Sequence, residues 1–262
     1  MCELTDSFLQ SLVALLDDDN TIGVTLAGSF ARGEGGQYSD VDIHQYIRQM
    51  PTDDAATYVM RYMEGHLVSI TLMTVEVQSA CLRDPKKAVW AVPGLRQERI
   101  LLDKDGTIAA LKESADRFNW KPMQAAADAY ASWNLGGFAE EIHKVLAGLA
   151  QRDESMTLNA TMGLTQGMAT TILVQRGVFL PSENVFIKAI QDTVGRESDW
   201  ARQYRLALGL DPFPLEQPAF IGRGVAGLRL FCETARLLQD ILQPEDATIV
   251  NRAMQIIMEA GY

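Results

Sequence analysis

The sequence predicts an α+β protein: a sheet-forming N-terminal domain, residues 1–115, followed by an all-helical bundle domain, residues 116–262. Three observations carry that expectation. Short apolar, β-branched runs bounded by turn residues, the signals of strands, cease at Thr107. Ala- and Leu-rich stretches of helical length fill the chain from Thr107 onward. The sequence shows no internal repeat or low-complexity segment that would divide it otherwise.

Taken in order, Phe8, Leu9, Leu12, Val13 and Leu16 fall at helical spacing, with Thr5 or Asp6 as N-cap. The run Asp17-Asp18-Asp19-Asn20 closes that helix. Ile22 to Ala27 has the profile of a buried strand ending at Gly28. Residues 28–39 are Gly-rich and polar, a loop that opens on a Gly-Ser turn. Val41, Ile43 and Ile47 then alternate with Asp40, Asp42 and His44, which predicts a strand with one polar face. Pro51 breaks the chain, and Asp53 or Asp54 is expected to start a helix through Met63. Leu67–Val77 reads as a third strand and Arg99–Asp103 as a fourth, before a Lys104-Asp105-Gly106 turn. Helices follow over 107–118, 122–151, 156–176, 183–194, 198–209, 224–242 and 245–259. They are separated by Gly177, Pro181, Gly195, Gly209, Pro212, Pro214, Pro218 and Pro244. The domain boundary is expected between Lys112 and Pro122.

Composition excludes several classes. A hydrophobic content of 47% excludes a disordered chain. With 23 basic against 34 acidic side chains, the net charge of −11 argues against broad nucleic-acid binding. The excess is shared by both halves of the chain, as ordinary solubility requires. No apolar run approaches the roughly 18 residues of a membrane span. The opening MCELTDSF has no basic region followed by an apolar one, so no signal peptide is expected. Cys2, Cys81 and Cys232 are odd in number and far apart, which fits a reducing cytoplasm better than a disulfide scaffold or structural zinc.

The chemistry lies in Gly28-Ser29-Phe30-Ala31-Arg32-Gly33-Glu34 and Ser39-Asp40-Val41-Asp42-Ile43. A buried strand delivers Gly28, which has no side chain to block a phosphate, so backbone N–H groups and the Ser29 hydroxyl can bond anionic oxygens. The next strand presents Asp40 and Asp42 at i and i+2, on one face. Two carboxylates so close are costly without a cation. Hard oxygen ligands beside phosphates point to Mg²⁺ and to phosphoryl or nucleotidyl transfer. No GK[ST] follows the glycines, so this is not a Walker A loop. The bland reading is a turn followed by an amphipathic strand whose aspartates face water.

Gly28, Ser29, Asp40 and Asp42, flanked by Leu26, Val41 and Ile43, resemble the signature of the DNA polymerase beta nucleotidyltransferase superfamily. The form GSFARGE…SDVDI is most similar to the antibiotic nucleotidyltransferases. The resemblance implies a nucleotidyltransferase-fold mixed sheet with flanking helices, followed by a helical acceptor-binding domain. It implies Gly28 and Ser29 on the nucleotide phosphates and Asp40 and Asp42 on Mg²⁺. The reaction implied is transfer of a nucleoside monophosphate, AMP from ATP, to a hydroxyl of a small molecule such as an aminoglycoside or lincosamide. Two other readings stand beside it: a protein-modifying, AMPylating enzyme, and a nucleotide-binding regulatory homologue without catalysis.

Other residues take a second rank. The superfamily adds a third carboxylate from the middle of the next strand, where this sequence has Ser69 and Thr71; Glu76 has the opposite parity. Arg32 is placed to neutralise phosphate, or is a solvated loop residue. Glu34 reads as a loop acid. His44 shares the parity of Asp40 and Asp42, and a histidine bonded behind the site is favoured over a catalytic one. His66 and His143 are assigned to no metal. Glu140 and Lys144 stack at i,i+4; a surface ion pair is the bland reading. A resemblance to the kanamycin nucleotidyltransferases, whose helical domain supplies a Glu base and a phosphate-binding Lys four residues later, gives those roles to Glu140 and Lys144. Helix packing is the expected task of Trp120, Trp133 and Trp200.

Overall fold

The computed structural model describes residues 4–213 and 218–262, so the break expected at Pro214 lies outside the described residues. The chain divides into two compact units. One runs through Asn119 and takes back residues 179–182; the other comprises 120–178 and the chain from Glu183. A boundary at 115/116 would cut the helix Thr107–Asp116, whose Ile108, Leu111 and Ala115 are buried against the sheet. Arg96 Nε donates to the Ala115 carbonyl at 2.9 Å, which ties that helix end to the first unit.

The first unit is built on a mixed five-stranded sheet. Its strands are β1 (Thr21–Leu26), β2 (Val41–Ile47), β3 (Tyr58–Met63), β4 (His66–Met73) and β5 (Arg99–Asp103), in the order β3-β4-β2-β1-β5. β2 and β4 run parallel; the other neighbours are antiparallel. Helix α1 (Asp6–Leu16), capped by Thr5, lays Phe8, Leu9, Leu12 and Leu16 on Val24, Leu26, Val41, Ile43, Val68 and Ile70. On the opposite face, Ile22, Tyr46 and Met73 pack with Leu95, Ile108, Leu111 and Ala115. Burying each such aliphatic side chain contributes about 1.5–3 kcal/mol before entropy is counted. Asp42 and His44, earlier on the same face of β2 as Tyr46, remain half-exposed.

Several elements differ from the sequence expectation. The first four residues of the expected loop, Gly28–Ala31, form a short helix, α2. The helix expected from Asp53 or Asp54 through Met63 is a 3-10 turn, Asp54–Thr57, followed by β3. Tyr58–Met63 pairs with β4 through the two-residue turn Glu64-Gly65, with φ of 48° and 85°. That is the left-handed pair a tight hairpin requires, supplied without the usual Asn-Gly. The third strand ends at Met73 rather than Val77, because Thr74 caps a helix, α3 (Val75–Cys81), accepting from the Val77 N–H at 3.3 Å. Helix α4 (Pro85–Gln97) starts on the Asp84 cap with Pro85 in its first turn; its internal Pro93 disguises it in the sequence. Thr107–Asp116 is α5.

The second unit is helical: α6 (Gln124–Gly137), α7 (Ala139–Gln151), α8 (Glu154–Gln175), α9 (Phe186–Val194), α10 (Asp199–Leu208), α11 (Ala219–Leu237) and α12 (Pro244–Glu259). α8 lies at its centre, packed against α6, α7, α10 and α11. Its buried Thr161, Thr165 and Thr171 return their hydroxyls to the carbonyl four residues earlier, which satisfies them inside the core. The single helix expected over 122–151 breaks at Phe138. Its ring fills the space over Gly167, where a Cβ would meet the ring at 1.9 Å. Trp200 is buried, stacked on Tyr204 and bonded through Nε1 to Thr234 Oγ1 at 2.8 Å, a packing role. Trp133 is instead exposed. Among the described residues no helix is long and apolar enough to cross a membrane.

Candidate active site

All six residues of β1 are buried, and its end is tied to β2 by the Ala27 N–H donating to the Asp42 carbonyl at 2.8 Å. The next residue is Gly28, at φ 63°; a Cβ there would lie 1.9 Å from Asp42 Oδ2. The carboxylate of Asp42 therefore occupies the space that any side chain at position 28 would need. Ser29 follows in the first turn of α2, and its carbonyl accepts from the Glu34 N–H at 2.9 Å, folding the loop back on itself.

Asp42 Oδ1 accepts from Ser69 Oγ at 2.8 Å across the parallel β2–β4 pairing. Burial raises its pKa above the ordinary carboxylate value and the neighbouring Asp40 raises it further; the Ser69 hydrogen bond, His44 and Arg32 work against that rise. Asp42 thus feels Asp40 as a like charge. Arg32 is no solvated loop residue: its side chain is 15% exposed, Nε is 2.7 Å from Glu34 Oε2, and an NH1 proton reaches the Pro181 carbonyl at 3.4 Å. Glu34, read from sequence as a plain loop acid, orients that guanidinium.

A nucleotidyltransferase-like protein from Exiguobacterium sibiricum, known from its crystal structure, matches this arrangement of elements with a TM-score of 0.50. The match covers 97% of this chain and 79% of that one at 13% sequence identity. The chain has a nucleotidyltransferase-like fold. No family model matches the sequence, and no curated protein sequence matches it. The likeness is therefore one of fold, and the chemistry has to be argued from the residues.

β4 carries no acid, only Ser69 and Thr71 at its centre. Glu76 lies in the first turn of α3, beyond the end of the strand, so the parity argument made for it from sequence does not apply. Among the described residues no group of three or more His, Cys, Asp or Glu is placed to hold a metal. A pair of carboxylates with phosphate oxygens as further ligands is a donor set that suits Mg²⁺.

Behind the acids is a buried network that the sequence did not disclose. His44 Nδ1 lies 2.8 Å from Glu98 Oε1, and Glu98 Oε2 accepts from Thr25 Oγ1 at 2.8 Å and Tyr46 OH at 3.0 Å. Burial, together with Glu98, raises the Tyr46 pKa and keeps the phenol protonated. Glu98 closes α4, and its three partners come from two strands distant in sequence, so no local pattern marks it. His66 packs against Phe8 and Phe30.

In the second unit, Glu140 and Glu141 lie in the first turn of α7. Lys144 Nζ is 2.8 Å from a carboxylate oxygen of each, so it serves both acids rather than Glu140 alone. The Glu140 side chain is 74% exposed and that of Glu141 23%. The hydrogen bond from Lys144 holds the Glu140 pKa below the ordinary value.

Proposed function

We propose that the protein is a nucleotidyltransferase that moves a nucleoside monophosphate, AMP from ATP, onto a hydroxyl of a small molecule in the cytoplasm. The observation that carries this reading is the Asp42 carboxylate lying against Gly28 at the end of β1, in a nucleotidyltransferase-like fold. Gly28 and Ser29 bind the nucleotide phosphates, and Arg32, held by Glu34, adds a positive charge beside them. Asp40 and Asp42 hold Mg²⁺, which when bound neutralises phosphate charge. The acceptor oxygen forms a bond to the α-phosphorus, the bond to pyrophosphate breaks, and the hydroxyl proton passes to a base. Ser69 and Thr71 cannot take that proton at neutral pH, so Glu140 is assigned to it, with Lys144 on the phosphates. An antibiotic of the aminoglycoside or lincosamide type is the acceptor class that the sequence resemblance supports.

A nucleotide-binding regulator without turnover is the second reading, favoured by the absence of an acid on β4. Thermal denaturation with Mg–ATP and pyrophosphate release over a panel of acceptors separate the two. Saturation at 100 times the dissociation constant stabilises by about 2.7 kcal/mol. Catalysis predicts both the shift and acceptor-dependent release, with Asp40→Asn abolishing release. Glu140→Gln is expected to bind Mg–ATP normally with turnover down by about 10²- to 10⁴-fold, and Glu141→Gln to be nearly silent. A shift without release under any acceptor favours the regulator, and no shift at all removes both readings.

A further inference from the structure

The sheet face that carries Asp42 continues past it to an open edge. Asp42 pairs with Ser69 and His44 with Thr71; on the other side of β4, Ser69 pairs with Met60, Thr71 with Tyr58, and Leu67 with Tyr62. Directly paired residues point to the same side of a sheet, so Tyr58, Met60 and Tyr62 stand on the face of Asp42. They line β3, the edge strand, and are 50%, 49% and 78% exposed. The opposite face of β3 sends Met63 into the core under α1. Edge strands ordinarily avoid a row of large apolar side chains on an open surface.

We propose that Tyr58, Met60 and Tyr62 form the platform on which the acceptor lies, and that the acceptor is an uncharged, hydroxyl-bearing ring compound with an apolar face. The inference rests on the nucleotidyl-transfer reading, names the acceptor side of that same site, and parts from the polycationic aminoglycosides that the sequence resemblance also suggests. The direction follows from sheet order. The phosphate-binding turn follows β1, the acids begin β2, and β4 and β3 lie beyond them. The size follows from strand geometry. Two strand spacings put Met60 about 10 Å from Asp42, and four residues put Tyr58 about 13 Å from Tyr62, room for two or three fused or linked rings. The chemistry follows from the side chains: Tyr and Met offer ring faces and a thioether, no residue of this row or of its β4 neighbours carries a charge, and the carboxylate of Asp42 on the same face is assigned to Mg²⁺ rather than to an ammonium group.

The test uses the full chain without nucleotide and three probes in saturation-transfer NMR: p-nitrophenyl β-glucoside, methyl β-glucoside and kanamycin. The two glucosides differ only in the apolar ring. The expected result is transfer to the nitrophenyl protons, at least fivefold tighter binding of the aryl glucoside than of the methyl glucoside, and loss of that difference in Tyr58→Thr/Tyr62→Thr. Threonine keeps strand preference at these exposed positions, and Tyr62→Thr alone makes the same comparison if the double variant does not fold. Mg–ATP affinity should stay within twofold, and Tyr62→Trp should restore aryl binding. Absence of transfer, equal binding of the glucosides, tighter binding of kanamycin, or a variant without effect on the aryl glucoside overturns the proposal. So does a fall in Mg–ATP affinity, which would put the nucleobase on the platform. Failure of the nucleotidyl-transfer reading appears separately, as wild-type protein that does not bind Mg–ATP.

Discussion

At the scale of single residues, the site turns on one close approach. Gly28→Ala demands a Cβ where Asp42 Oδ2 lies and a left-handed φ. The backbone alone costs about 1–2 kcal/mol, and the carboxylate must move away as well. The expected outcome is a lower denaturant midpoint together with at least tenfold weaker Mg–ATP binding. Asp42 itself has a raised pKa, so between the ordinary value of 3.8 and that raised value the native state holds more proton than the unfolded chain. Stability from this group is therefore lost as pH rises through that window, and the penalty persists above it. Asp42→Asn keeps an acceptor for Ser69 and removes the charge. Melting curves in EDTA should show the variant gaining on wild type as pH climbs from below 3.8, then holding a constant lead. A lead that shrinks with rising pH would refute this account of Asp42.

At the scale of elements, the β3–β4 hairpin carries a local conflict. Glu64 is a non-glycine residue at φ 48°, before Gly65 at φ 85°. Asparagine tolerates that conformation better than glutamate, so Glu64→Asn should stabilise the protein by about 0.5–1 kcal/mol. The gain should appear as a shift of the urea midpoint without a change in slope. An unchanged midpoint would show that the hairpin bears no strain there. Glu98 shows the converse, three strand side chains converging on one buried acid. Glu98→Ala strands the donors of Thr25 and Tyr46 in the interior and removes the partner of His44. A loss of about 2–4 kcal/mol is expected in denaturation.

At the scale of the whole molecule, the N-terminal unit is not a continuous piece of chain. Residues 179–182 return to it: the Leu180 N–H donates to the Val89 carbonyl at 2.8 Å, and Phe179 packs on Phe118 and under the Arg96 guanidinium. Leu180 is buried. Leu180→Ala should cost about 2–4 kcal/mol, read from chemical denaturation of the full chain. A cost below 1 kcal/mol would mean that the returning segment adds little to the unit.

The sequence by itself determined the class of fold, the succession of sheet before helices, and the pairing of a Gly-Ser turn with Asp-x-Asp. Those features are local: apolar periodicity, a glycine at a strand end and two acids at alternate positions report on their own neighbourhood. Tertiary structure decided the rest. β3 was hidden because Glu-Gly is a weak hairpin signal, and α4 because Pro93 interrupts its pattern. The His44–Glu98 network and the Tyr58–Met60–Tyr62 face depend on which strands become neighbours. That choice is made by burial of whole faces between α1 and α4–α5, and no window of sequence contains it.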